Sequence, residues 1–265
     1  MSRLADAFER ARAQDRAALV IYLCAGDPSL ELAPLLIARA AEAGADVIEL
    51  GVPFSDPVAD GPTIQRASER ALARGASLAG ALRAVELARA STDVPIVLFG
   101  YYNPIVAYGE ARMVREAARV GVDGMLVVDL PIEHADPLRA ALSEHGLDFV
   151  PLVAPNTSDE RATAIGRAAG SFVYCVSMTG VTGAKSAALE EAAERAAKVR
   201  ALTSRPVAVG FGVRTPADVA TLADRADGIV VGSAVVEAIA DATDAPAALA
   251  ELVSRLAAAT RRGRR

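Results

Sequence analysis

The segment Val47-Ile48-Glu49-Leu50-Gly51 sets one carboxylate inside an otherwise apolar run. Glutamate is almost never fully buried unless it is paired, because taking its charge out of water is costly. Burial raises a carboxyl pKa toward the range in which a general acid or base works near neutrality. A glutamate salt-bridged to a neighbouring strand is the plainer account of the same residue. The loop that follows, Gly51 to Thr63, holds three prolines, two glycines and two aspartates. Proline narrows the states available to a loop, so such a segment holds a side chain in place at small entropic cost. Asp56-Pro57 and Asp60-Gly61 are both ordinary turn dipeptides. What distinguishes Asp60 is its company: two carboxylates in different surroundings at one strand end are how a site runs acid and base steps together.

Three later loops are rich in glycine: Ser177 to Ser186, which includes Gly180, Thr182, Gly183 and Lys185; Gly210-Phe211-Gly212-Val213; and Gly232-Ser233, which opens into the helical stretch 234–240. Glycine lets backbone N–H groups approach an anion, and a helix N-terminus adds a favourable dipole. The pattern points to a phosphate site; turn glycines that merely close short loops are the alternative.

These residues need a frame. Eight short β-branched runs recur along the chain: 19–25, 47–50, 96–100, 124–128, 149–153, 172–176, 207–210 and 228–231. Each is continuously apolar rather than alternating, the mark of parallel strands buried on both faces. Ala-rich helical stretches lie between them. Asp27-Pro28 and Thr215-Pro216 look like helix starts, and Ser158 like an N-cap. Stretches 63–73 and 77–90 separate the second and third strands, and 3–13 forms an extra N-terminal amphipathic helix. Strict β–α alternation at this length predicts a single-domain α/β chain over residues 1–265, a (β/α)8 TIM barrel, with an open doubly wound sheet as the alternative. A barrel builds its site at the C-terminal strand ends, where Glu49, Asp60 and the glycine loops fall.

Composition bounds the rest. The 265 residues are 52% hydrophobic with a formal net charge of -5, which argues against a nucleic-acid partner. The arginines at 261, 262, 264 and 265 read as a solvated tail. No run is long and apolar enough for a signal or membrane segment, so a cytoplasmic chain is expected. Cys24 and Cys175 sit in apolar runs, as buried thiols in a reducing compartment do. His134 and His145 flank a helix away from the strand ends, which leaves poor material for a metal site.

The strand-two segment from Ile48 to Thr63 resembles the signature of the tryptophan synthase alpha subunit family. The likeness extends through Gly26-Asp27-Pro28, Tyr101-Tyr102-Asn103-Pro104, Asp129-Leu130-Pro131, Gly180-Val181-Thr182-Gly183, Gly210-Phe211-Gly212 and Gly232-Ser233. It implies retro-aldol cleavage of indole-3-glycerol phosphate to indole and glyceraldehyde 3-phosphate, a step in tryptophan biosynthesis, with Glu49 and Asp60 catalytic. It implies substrate contacts at Tyr22, Tyr174, Thr182, Gly183, Phe211, Gly212, Gly232 and Ser233. Among these, Tyr22 lines the indole pocket, and Gly183, Gly212, Gly232 and Ser233 meet the phosphate. It implies no cofactor or metal in this chain, and a beta subunit that carries pyridoxal phosphate in an α2β2 heterotetramer. Tyr22 stands where the family commonly has phenylalanine, and Met178 where it often has arginine. The light loop 177–187 is expected to close as a lid, with the Thr182 hydroxyl reaching Asp60. A Schiff-base aldolase using Lys185, a phosphosugar isomerase and a non-catalytic phosphate-binding scaffold are the competing readings.

Overall fold

The computed structural model describes residues 2–176, 185–210 and 212–263. Its strands are β1 (Ala18–Cys24), β2 (Val47–Gly51), β3 (Ile96–Gly100), β4 (Gly124–Val127), β5 (Asp148–Phe149), β6 (Leu152–Val153), β7 (Val173–Val176), β8 (Val207–Gly210) and β9 (Gly228–Val231). All pair in parallel, in the order β5-β4-β3-β2-β1-β9-β8-β7-β6. The two ends of that order are halves of one extended segment. The Val150 N–H donates to the Met125 carbonyl at 2.8 Å on one side, and the Tyr174 N–H donates to the Pro151 carbonyl at 3.0 Å on the other. The sheet therefore closes into a barrel. The fifth of the eight expected strands is interrupted at Pro151, which has no N–H to give to a ladder.

Side chains alternate inward and outward along each strand. Val20, Val47, Val97, Leu126, Val150, Phe172, Ala208 and Val230 fill the barrel interior, while Leu19, Ile21, Ile48, Leu50, Ile96 and Leu98 belong to the layer between sheet and helices. The extra helix Arg3–Ala13 closes the N-terminal end of the barrel. Its Leu4, Ala7, Phe8 and Ala11 are buried in the interior cluster, and the Phe8 and Phe172 rings lie 4.8 Å apart. Among the described residues a cavity opens at the opposite end.

One expected helix start is corrected. The Asp27-Pro28 peptide is cis, and the helix after β1 runs Ala33–Glu42 with proline in its first turn. The Asp27 carboxylate instead accepts two hydrogen bonds from Arg70, at 2.9 and 2.6 Å. That pair fastens the turn after β1 to the helix Pro62–Ala73. The other two starts behave as expected: Ser158 caps Asp159–Ala168, and Thr215 with Asp218 forms a capping box on Pro216–Ala223. Among the described residues, no helix is long and apolar enough to cross a membrane.

Candidate active site

Glu49 has the inward parity of Val47 and pairs in register with Tyr22 on β1 and Val97 on β3. Its relative exposure is 0%, and neither carboxylate oxygen has a hydrogen-bond partner among the described residues. Desolvation alone pushes its pKa up to about 8. Among the described residues the salt-bridged account of Glu49 finds no partner, and burial favours the protonated carboxyl near neutrality.

Asp60 reaches the same space from the loop beyond β2. The Asp60 N–H donates to the Pro57 carbonyl at 3.0 Å, and Gln65 Nε2 donates to the Asp60 carbonyl at 2.9 Å. The Tyr101 hydroxyl clamps the loop from the end of β3. It accepts from the Ala59 N–H at 3.0 Å and donates to Asp60 Oδ2 at 3.2 Å, while its ring stacks on Phe54 at 5.1 Å. Burial pushes the Asp60 pKa up to about 6, and the Tyr101 hydrogen bond works against that rise. Near neutrality the two carboxyls therefore differ, Asp60 ionised and Glu49 protonated.

Both groups line one cavity, with about 520 Å3 of empty space out to its mouth. Tyr22, Tyr174, Gly212, Gly232 and Ser233 line it too, so the structure brings seven of the expected site residues together. The Tyr22 ring crosses Gly51, where a Cβ would lie 2.1 Å from the hydroxyl oxygen, and meets Phe99 edge-on at 5.5 Å. Tyr174 lies over Gly210 in the same way, a Cβ there falling 2.3 Å from its hydroxyl. Gly212 adopts a φ of +59°, a left-handed conformation that few side chains tolerate. The helix Ser233–Ala240 begins at Gly232 with no side-chain cap among the described residues, which leaves its first-turn amides uncapped beside the cavity. Thr63 Oγ1 ties this helix to Pro62–Ala73 by donating to Glu237 at 2.9 Å.

Thr182, Gly183, Phe211 and Met178 lie outside the described residues, as does the expected lid except for 185–187, which open the helix Lys185–Thr203. Cys24 and Cys175 are buried, and burial pushes their thiols up to about 12 and 11. Among the described residues no His, Cys, Asp and Glu cluster is suited to a metal ion.

Ile64, Phe99 and Val230 complete the walls and were not among the expected site residues; nor was Tyr101 as the clamp on Asp60. Tyr101→Phe removes the bond that restrains the Asp60 pKa. The acid limb of the pH–rate profile should move upward and turnover fall about tenfold, the scale of one hydrogen bond to a charged group. A profile unchanged from wild type would remove Tyr101 from the site.

The model of the tryptophan synthase alpha chain family matches residues 8–262. The chain belongs to that family. The tryptophan synthase alpha chain of Gluconacetobacter diazotrophicus is 51% identical over 246 residues, covering 92% of this chain and 90% of the relative. That of Acidiphilium cryptum is 49% identical and covers 100% of this chain and 99% of its own length. Among solved structures, Mycobacterium tuberculosis tryptophan synthase superposes with a TM-score of 0.90 at 41% identity, with 99% of each chain covered. The Legionella pneumophila alpha subunit gives 0.89 at 37%, with 98% of each covered. The alpha chain family is the lyase half of tryptophan synthase, so this chain is a lyase of tryptophan biosynthesis with a TIM-barrel fold.

Proposed function

We propose that Glu49 and Asp60 carry the acid–base chemistry by which this chain cleaves indole-3-glycerol phosphate, the family's reaction. The carrying observation is the fully buried Glu49 carboxyl, unpaired among the described residues and lining the cavity that Asp60 shares. Indole is a poor leaving group until its C3 is protonated. Protonated Glu49 donates that proton, and the positive charge that develops on the ring nitrogen is met by ionised Asp60. The resulting Glu49 carboxylate then takes the proton of the glycerol hydroxyl as the carbon–carbon bond breaks. Indole and glyceraldehyde 3-phosphate leave, and Glu49 is protonated again. Tyr22, Phe99 and Tyr174 supply the flat apolar walls for the ring.

The phosphate sits, in this reading, against Gly212, Gly232 and Ser233, with the uncapped amides of the helix Ser233–Ala240 as donors. Gly183 completes this end, and Thr182 and Phe211 the rest of the site. Ser233→Asp brings a negative charge to that helix terminus. It should weaken substrate and glyceraldehyde 3-phosphate together by at least tenfold and leave indole binding within about twofold. Unaltered affinity for both phosphate ligands would refute the assignment.

The chain acts as one domain, in the cytoplasm, with a beta chain that holds pyridoxal phosphate and consumes the indole, the pair forming an α2β2 assembly; no cofactor is required in the alpha site. The deciding experiment is indole release from indole-3-glycerol phosphate by the purified chain, alone and with a beta chain. Release that rises with the beta chain supports the whole reading. No indole from a folded chain under either condition overturns it. Borohydride in the presence of substrate should trap nothing, since no imine forms on Lys185.

A further inference from the structure

We infer that the end of the barrel opposite the catalytic mouth carries a second anion site, suited to a small dianion of the phosphate or phosphomonoester type. Arg16 precedes β1, Arg205-Pro206 precede β8 and Asp227 precedes β9, so the N-terminal strand ends meet beside the helix Arg3–Ala13. A cavity with about 710 Å3 of empty space out to its mouth opens there, lined by Arg12, Arg16, Arg200, Arg205 and Arg262. Five guanidiniums converge on one concavity in a chain whose formal net charge is -5.

Their partners do not balance them. Arg16 is satisfied by Asp46, at 2.5 and 2.7 Å, and Arg12 by Glu9 at 2.7 Å. Arg200 and Arg262 share one carboxylate: Asp227 lies 3.1 Å from the first and 3.7 Å from the second. The other Asp227 oxygen already accepts the Val207 N–H at 3.0 Å. Arg205 has no carboxylate partner among the described residues; its Nε donates only to the Gly166 carbonyl, at 3.4 Å. Among the described residues five cations thus face three carboxylates, Glu9, Asp46 and Asp227, an excess of two positive charges. Like charges around a concavity repel one another, and the low-dielectric walls focus their field outward into it. A dianion cancels the excess. Guanidinium forks match tetrahedral oxyanions in bidentate geometry. Ser204, held at a φ of +53° on the rim of the same cavity, offers a hydroxyl donor. Bound there, the anion joins the C-terminal end of the helix Lys185–Thr203 to the starts of β8 and β9 and to Arg262.

Calorimetric titration with inorganic phosphate, at ionic strength held constant with chloride, tests the site. The Ser233→Asp background closes the catalytic phosphate position. Phosphate should still bind there, about tenfold more weakly after Arg205→Gln and not measurably after Arg200→Gln with Arg205→Gln. Backbone amide shifts should centre on 204–207 and 227. Among the described residues Arg205 makes no ion pair, so Arg205→Gln should fold and release indole as wild type does. If Ser233→Asp does not fold, the wild type serves instead, with two phosphates per chain falling to one in the double arginine variant. Glycerol phosphate as a second probe separates sources: binding of both ligands assigns phosphomonoesters, and binding of phosphate alone assigns the free dianion. Phosphate affinity within twofold of the parent after Arg205→Gln, or a response no different from that to chloride, overturns the proposal.

Discussion

Glu49→Gln should lower indole release by about 10³-fold, the scale of an essential general acid–base, while the fold survives. Gln keeps the shape of the side chain and cannot give up or take back a proton. A variant that keeps more than about a tenth of wild-type turnover would place the proton transfer elsewhere. The same substitution has a signature in stability. The folded-state pKa of Glu49, about 8, lies above the ordinary value of 4.5 because the buried carboxylate is desolvated. A group with a raised folded pKa favours folding fully only below its unfolded value. That contribution drains away as pH rises and is lost once pH passes the folded value. Wild type should therefore lose up to roughly 4 to 5 kcal/mol between about pH 5 and 9 from this residue, a loss that Gln escapes. The Gln amide is itself buried without a partner, at a cost that does not vary with pH. The informative quantity is thus the slope: the gap in Tm between variant and wild type should move steadily in favour of the variant as pH rises. A gap that stays flat across that range would mean that Glu49 is already ionised in the folded protein. The proton is also the reactive one, so wild-type kcat/KM should decline above about pH 8.

The legible part of this site was local. Glu49 announced itself because a carboxylate in Val-Ile-Glu-Leu-Gly has no cheap structural explanation, and strand parity then carried it inward. Barrel strands buried on both faces are readable as uninterrupted apolar runs, so the order of the elements and their parallel pairing followed from alternation. What stayed hidden depended on partners distant in sequence. Tyr101 reaches Asp60 across 41 positions, and nothing in Tyr-Tyr-Asn-Pro announces that one hydroxyl will grip the Asp60 loop. Asp27-Pro28 carried every local sign of a helix start, but Arg70, 43 residues on, takes the aspartate that would have capped it. The break between β5 and β6 did have a signal, since Pro151 within Phe-Val-Pro-Leu-Val cannot donate to a neighbouring strand. The arginines of the second cavity come from both ends of the chain and from its last third, so their convergence exists only once the barrel closes.

Asp60→Asn should reduce kcat/KM by about 10²-fold, the usual scale of one charge-stabilising contact. The amide oxygen still accepts the indole N–H, so the hydrogen bond is kept and only the charge is lost. Two features separate this from a general disturbance of the loop. The first is pH. The Asp60 carboxyl titrates at about 6, raised by burial and restrained by Tyr101, so wild-type activity should rise as pH climbs through that value. Asn has nothing to titrate there, and the acid limb should disappear while the alkaline limb set by Glu49 remains. The second is position. Asp56 shares the same proline-rich loop but is exposed, and its hydrogen bond comes from the adjacent Ser55 hydroxyl. Asp56→Asn in the isolated chain should stay within about twofold of wild type, as a surface substitution without a buried partner does. Equal losses at Asp56 and Asp60, or an acid limb that persists in Asp60→Asn, would show that the shape of the loop rather than its buried charge supports the reaction. If the charge is what counts, Tyr101→Phe and Asp60→Asn should act on the same limb in different ways. The first moves it upward and the second removes it, and the double variant should behave as Asp60→Asn alone, because the Tyr101 hydroxyl acts on that limb through the carboxylate.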